Sequence, residues 1–120
     1  MHITITVRNQ ALTPAVQDLV EEKFSALEKL VVRATSPVTL ACEIDESMAA
    51  VRAGAKYRVE GNLGVDGKLF RAEAENETLE GAVDRVRDGL VRELQNAQGK
   101  KENLLKRGGA ALKRMLRFGN

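Results

Sequence analysis

Aromatic residues are scarce in this sequence of 120 residues, which contains no tryptophan, one tyrosine and three phenylalanines. Small domains that read single-stranded RNA on an open β-sheet depend on exposed aromatic rings for base stacking. Phe24, Tyr57 and Phe70 fall in register with apolar neighbours, which predicts that they belong to the core. The sequence therefore argues against base stacking. It leaves contacts between cations and phosphates as the route to a nucleic acid.

Cysteine and histidine occur once each, and long apolar runs are absent. Cys42 has neither a second cysteine for a disulfide nor a nearby histidine for a zinc site, so we interpret it as a small buried hydrophobe. No apolar run could span a bilayer, and the start of the chain does not have the pattern of a signal peptide. The ten glycines are scattered and form no phosphate-binding loop. We predict a cytoplasmic protein with no membrane partner, small-molecule substrate, metal or cofactor.

Clustered carboxylates are the groups that could in principle support catalysis. Glu43, Asp45 and Glu46 form one cluster, and Glu73 and Glu75 form another. Both clusters are expected on a surface that faces water, near Lys and Arg, whereas a general acid needs a desolvated or like-charged setting. We therefore predict that the protein is not an enzyme.

Positive charge is concentrated at the C-terminus. Seven of the 19 Lys and Arg residues lie in the last 21 residues beside one carboxylate, Glu102, so this segment has a net charge of +6. The first 99 residues contain 12 basic and 16 acidic side chains, which gives a net charge of −4. We therefore divide the chain into a domain over residues 1–98 and a basic tail over residues 99–120. A polyanion, with nucleic acid first and an anionic membrane surface second, is the expected partner of the tail.

Alternation of apolar and polar residues predicts four strands. They cover residues 2–8, 38–44, 55–63 and 68–75, with a loop over residues 47–54. The last two strands are joined at Asp66-Gly67, a dipeptide that tolerates the positive φ of a tight hairpin turn.

Apolar residues at three- and four-residue spacing predict two helices. Thr13 and Pro14 form an N-cap and first-turn pair for one long helix that ends before Pro37, and Thr78 caps a second helix whose pattern ends near Gly99. The order strand-helix-strand-strand-strand-helix predicts an α+β fold. One four-stranded mixed sheet carries both helices on one face, and the first two strands are parallel because they are joined by a right-handed crossover.

The opposite face of the sheet is expected to remain in water. Its charges form a mosaic that cross-strand pairing explains without a further function. The residues predicted on this face are Thr4, Thr6, Glu43, Asp45, Lys56, Arg58, Glu60, Arg71, Glu73 and Glu75.

Two stretches carry a resemblance to a known family. The strand ITITVRN followed by LTPAVQDLVEEKFSALEKL resembles the first strand and helix of the bacterial ribosome hibernation promoting factors, also called ribosome-associated inhibitors or ribosomal subunit interface proteins. The stretch TLEGAVDRVRDGLVREL is similar to the second helix of that family, and the resemblance covers about residues 1–98. Each motif is weak by itself, but the motifs together with their order and spacing are fairly specific.

The resemblance implies a protein that docks on the small ribosomal subunit near the decoding centre. There it would occupy the sites of messenger and transfer RNA and silence translation during stress or stationary phase. Family members meet ribosomal RNA with basic residues along the helices and after the second helix. Arg85 is included because it lies seven residues before Arg92, on nearly the same flank of the helix. The RNA-binding residues implied in this way are Lys23, Lys29, Arg85, Arg92, Lys100, Lys101, Lys106 and Arg107.

The sequence also departs from the family pattern. Glu80 stands where Tyr is usual, Gly89 where Lys is usual, and Ala26 where some members have Lys. The resemblance thus implies fewer cationic contacts on the domain, so that either the tail compensates for them or binding is weak. The family's long type adds a C-terminal domain that pairs two ribosomes. We expect the short type, without that domain.

Two other functions remain open from the residues alone. One is general binding of duplex nucleic acid, although a duplex reader needs basic contacts spread along its face. The other is a module that docks on a membrane surface or a protein through the tail. In that tail Leu112, Met115 and Leu116 have the spacing of a short amphipathic helix, so we predict a tail that is either partly helical on a partner or disordered.

Overall fold

The computed structural model describes residues 1–8, 11–46 and 55–106, with side chains described up to residue 99. Its elements are β1 (His2–Arg8), α1 (Pro14–Phe24), a 3₁₀ helix (Ser25–Leu30), β2 (Thr39–Asp45), β3 (Tyr57–Val65), β4 (Lys68–Asn76) and α2 (Leu79–Lys106). The sheet order is β1-β2-β3-β4, with β1 parallel to β2 and the remaining pairs antiparallel. The predicted α+β fold is confirmed. The predicted loop over residues 47–54 lies outside the described residues.

The first helix begins where the sequence predicts. Thr13 is the N-cap, its hydroxyl oxygen accepts a hydrogen bond from the Val16 N–H at 3.2 Å, and Pro14 occupies the first turn. The prediction of one long α-helix as far as Pro37 is wrong, because α1 ends at Phe24 and continues as the 3₁₀ helix. Side chains three residues apart lie above one another in a 3₁₀ helix. This geometry directs Leu27 into the core in line with Phe24.

The second helix also begins as predicted but ends later. The Thr78 hydroxyl accepts a hydrogen bond from the Gly81 N–H at 3.1 Å, which confirms the cap. The predicted end near Gly99 is wrong, because the helical backbone continues to Lys106. A glycine inside a helix costs about 1 kcal/mol relative to alanine, and good helix formers such as Gln, Lys, Glu and Leu on both sides of Gly99 offset that cost.

Both helices pack on one face of the sheet and enclose the hydrophobic core. Phe24 is fully buried, and Tyr57 and Phe70 are half-buried against the core, as their register predicts. Cys42 is also in the core, where burial and, secondarily, the neighbouring Glu43 raise the pKa of the thiol to about 12. The predicted role of Cys42 as a buried hydrophobe is confirmed. The buried core residues are Val20, Phe24, Leu27, Val38, Leu40, Cys42, Ile44, Val59, Leu63, Ala82, Val83, Val86, Leu90 and Leu94.

The other face of the sheet carries a network of cross-strand ion pairs. Glu43, Glu60 and Glu73 lie opposite one another on β2, β3 and β4. Arg58 and Arg71 each bind both Glu60 and Glu73, and on the other side Arg8 lies 3.5 Å from Glu43. Such pairing offsets the repulsion within a row of carboxylates. The predicted charge mosaic is therefore confirmed.

Asp45 departs from the prediction for this face. It follows the same alternation as Glu43, but only 9% of it is exposed, so the prediction that it faces water is wrong. In the sheet it lies beside Arg8 of β1 and Arg58 of β3. Across residues 1–8, 39–45, 57–65 and 68–76, no aromatic ring follows the alternation of this face. A base-stacking surface is therefore absent from these strands.

Candidate nucleic-acid interface

Two arginines of α2 lie on the rim of one groove. Arg85 and Arg92 are both exposed, and seven residues correspond to about two helical turns, so the two side chains leave the helix on nearly the same flank. The groove has a volume of about 720 Å³ and lies between α2 and β4. Its lining consists of Glu73, Ala74, Glu75, Arg85, Asp88, Val91 and Arg92. The structure thus brings two of the predicted RNA-binding residues together.

The position of this flank depends on how α2 is held against β4. β4 is an edge strand, and the backbone N–H of Arg71 on it donates a hydrogen bond to the Glu93 carboxylate of α2 at 3.0 Å. A Cβ atom added at Gly89 would lie 2.9 Å from Cβ of Ala72, so the absence of a side chain at Gly89 permits the close approach of helix and strand. Together these contacts place Arg92, three residues after Gly89, beside the sheet edge.

Arginines outside the groove are paired with Glu73 and Asp88, two of the carboxylates that line it. Glu73 is paired with Arg58 and Arg71, and Asp88 Oδ1 lies 3.0 Å from Arg87 Nη2. Within the part of the chain whose side chains are described, no carboxylate lies within 4 Å of the Arg85 or Arg92 guanidinium. Both groups are therefore available to an external anion. Guanidinium groups are well suited to phosphate because they can donate two parallel hydrogen bonds.

Lys23 lies in a different setting. Its ammonium nitrogen is 3.1 Å from Glu80 Oε1 and 3.1 Å from Asp84 Oδ1, both on α2, and only 21% of its side chain is exposed. The close approach of the ammonium to the carboxylates of Glu80 and then Asp84 raises the pKa of Lys23 above its ordinary value. Lys23 therefore links α1 to α2 and does not lie in the groove with Arg85 and Arg92.

The remaining predicted residues divide into two groups. Lys29 is exposed on the 3₁₀ helix and has no carboxylate within 4 Å among the side chains described, but it does not line the groove. Lys100, Lys101 and Lys106 lie on the part of α2 for which only the backbone is described, and Arg107 lies outside the described residues. Their assignment to RNA binding stays a prediction.

Sequence reasoning missed the acidic partners of Lys23. Glu80 and Asp84 are four residues apart, which places them one above the other on α2, and this spacing was a visible signal of a paired acidic site. The identity of the cation opposite them depends on how α1 packs on α2, and no local pattern contains that information.

Over the ranges that the structure describes, no helix is long and apolar enough to cross a membrane.

A family comparison covers most of the chain. Residues 3–102 match the model of the family described as sigma 54 modulation protein / S30EA ribosomal protein. The chain belongs to this family. The match confirms the predicted family and includes the part of α2 that carries Arg85 and Arg92.

Two relatives are similar over the same region. A ribosome hibernation promoting factor of Klebsiella oxytoca is 32% identical over 94 residues, which are 78% of this chain and 90% of the relative. A ribosome hibernation promoting factor of Azotobacter vinelandii is 33% identical over 94 residues, 78% of this chain and 79% of that relative.

Solved structures share the fold. The N-terminal domain of Protein Y from Thermus thermophilus superposes with a TM-score of 0.65 at 26% identity, covering 80% of this chain and 98% of that one. A ribosomal subunit interface protein from Coxiella burnetii has a TM-score of 0.62 at 19% identity, covering 82% and 99%. The second likeness concerns the fold alone.

Proposed function

We propose that this protein binds the small ribosomal subunit near the decoding centre, blocks the sites of messenger and transfer RNA, and so silences translation during stress or stationary phase. Support comes from the match to residues 3–102 and from the two relatives named as ribosome hibernation promoting factors. The activity is steric occupancy in the cytoplasm. It requires no catalytic group and no cofactor.

One observation identifies the residues that would contact the RNA. Arg85 and Arg92 are exposed on one flank of α2 without a carboxylate partner among the described side chains, whereas Arg58, Arg71 and Arg87 are all paired. Contacts between cationic side chains and phosphates position a protein on RNA, and they do not depend on the base sequence of the RNA. Lys100 and Lys101 follow on the same helix, so α2 carries further positive charge beyond Arg92.

The test is binding to purified small ribosomal subunits over a range of salt concentrations. The variant Arg85→Glu/Arg92→Glu should bind more weakly than the parent protein, and the slope of log affinity against log salt should fall by about two, because two phosphate contacts are lost. The matched control is Arg33→Glu/Lys68→Glu. It makes the same change of charge at two exposed cations that do not line the groove.

The outcomes test both the proposed function and the assignment of the contact residues. Failure of the parent protein to sediment with small subunits at low salt would overturn the ribosomal proposal. Equal affinity for subunits and for an unrelated RNA duplex would indicate general duplex binding instead. Equal slopes for the two double variants would show that Arg85 and Arg92 are not the contact residues.

A further inference from the structure

Lys23 is placed between two carboxylates of the neighbouring helix. Glu80 Oε1 and Asp84 Oδ1 both lie 3.1 Å from its ammonium nitrogen, and Asp84 Oδ1 is inaccessible to solvent. Asp84 Oδ1 also lies 3.2 Å from Arg87 Nη1. The Lys23 ammonium therefore already has oxygen ligands of the kind that an RNA phosphate would supply.

The charge of the helical layer strengthens this observation. Residues 14–30 and 79–99 contain eight acidic and five basic side chains, so this part of the surface has a net charge of −3. An approaching phosphate would meet repulsion unless a cation were free to bind it. Arg85 and Arg92 satisfy that condition, and Lys23 does not, because Glu80 and Asp84 compete for its ammonium.

We propose that Glu80 and Asp84 limit the affinity of this protein for ribosomal RNA by holding Lys23 as an internal ion pair, so that Lys23 links the helices instead of binding phosphate. The inference rests on the proposed function for the identity of the RNA. It assigns Glu80 and Asp84 the role of affinity-limiting residues, and it separates Lys23 from Arg85 and Arg92, with which the sequence had grouped it.

The test is a cycle of variants measured for binding to purified small ribosomal subunits. Glu80→Gln/Asp84→Asn releases Lys23 and should tighten binding by about fivefold, as expected for one additional phosphate contact. The salt slope should rise by about one. The matched control, Asp18→Asn/Glu22→Gln, makes the same change of charge at two exposed α1 residues that have no ion pair within the described side chains, and should tighten binding less.

Lys23→Met completes the cycle. In the parent protein it should leave subunit affinity within about twofold and lower the melting temperature, because it removes the link between α1 and α2. In the Glu80→Gln/Asp84→Asn background it should abolish the gain in affinity. Glu80→Gln alone, at a side chain that is 63% exposed, provides a second variant if the substitution at Asp84 prevents folding.

The outcomes distinguish this inference from the proposed function. Loss of affinity on Lys23→Met in the parent protein, or an equal gain for the two neutralised double variants, would overturn the inference while the ribosomal function stands. If the parent protein does not bind subunits, the proposed function fails. In that case the inference about Lys23 also fails if the Glu80→Gln/Asp84→Asn variant does not bind small subunits.

Discussion

Asp66 joins two distant parts of the chain through one carboxylate. It occupies the β3–β4 turn with a φ of 49°, followed by Gly67 at 79°, a conformation that Asp and Gly tolerate. Its carboxylate accepts hydrogen bonds from the backbone N–H and the hydroxyl of both Thr35 and Ser36, at 2.9–3.1 Å. The turn thus fixes the segment that leads from the 3₁₀ helix into β2.

Asp66→Asn should lower thermal stability at neutral pH, since it removes the charge that accepts these bonds but keeps a residue that tolerates positive φ. Hydrogen bonds from Ser36 and Thr35 lower the pKa of Asp66 in the folded protein. A lowered folded pKa means that the stabilisation is complete well above the ordinary Asp value of about 3.9 and is lost as the pH falls through the folded value.

The measurement is the difference in melting temperature between parent and variant from pH 7 to pH 3. That difference should shrink as the pH falls below about 4. Asp18→Asn, at an exposed residue of α1, serves as the control and should show little difference at any pH. A constant difference across the range would contradict the role assigned to the Asp66 charge.

Helix α2 and strand β4 approach each other through residues without large side chains. Gly89 faces Ala72, and a Cβ at Gly61 of β3 would lie 2.8 Å from a methyl group of Val86. Glycine lowers helix propensity, so its presence at Gly89 is explained by packing rather than by local preference. The close contact also positions the flank that carries Arg85 and Arg92.

Gly89→Ala should destabilise the protein by about 1 kcal/mol, because a clash that costs about 1–3 kcal/mol exceeds the gain in helix propensity of about 1 kcal/mol. Gly99→Ala is the matched control and should stabilise the helix. Among the described residues, no atom outside its own stretch of helix lies within 4 Å of the position its Cβ would occupy. Chemical denaturation measures both. If Ala72→Gly restores stability to the Gly89→Ala variant, the clash between the two Cβ atoms is the cause of the loss. A Gly89→Ala variant that is more stable than the parent protein would contradict the predicted clash.

Charge is distributed unevenly along the whole molecule. The net charge is −4 over residues 1–99 and +6 over residues 100–120, which together give the formal charge of +2. If the partner is RNA, this distribution of charge predicts two roles for the cations. The basic segment attracts the RNA over a long distance, and individual arginines bind phosphates once the two are in contact.

Substitution of glutamine for Arg107, Lys113, Arg114 and Arg117 should therefore weaken binding to small subunits. The slope of log affinity against log salt should fall by about four, or about one for each cation that meets a phosphate. The length of the chain is unchanged, so the effect reports charge alone. Titrations between 50 and 200 mM salt provide the measurement. An unchanged slope would show that these cations do not contact RNA.

Much of the fold follows from local patterns. Alternation places the four strands, Asp66-Gly67 the hairpin turn, and Thr13 and Thr78 the helix starts, since each depends on neighbours within a few residues. The errors lie at element ends and in one burial assignment. The 3₁₀ continuation of α1, the extension of α2 past Gly99 and the burial of Asp45 depend on packing and on the competition between adjacent elements.

The candidate site was only partly predictable. The seven-residue spacing placed Arg85 and Arg92 on one flank, because helical periodicity alone determines that relation. The groove beside them requires β4 to lie next to α2, and the pairing of Lys23 with Glu80 and Asp84 requires α1 to lie against α2.

The amino-acid sequence by itself determined the order of strands and helices, the positions where both helices begin, the family and the uneven distribution of charge along the chain. All of these are set by composition and short-range spacing. Only the tertiary structure decided which cations remain free. Arg92 and Lys23 are both cations in the sequence, but contacts with Glu80 and Asp84, 57 and 61 positions away, pair Lys23 with carboxylates. Arg92 remains exposed at the groove.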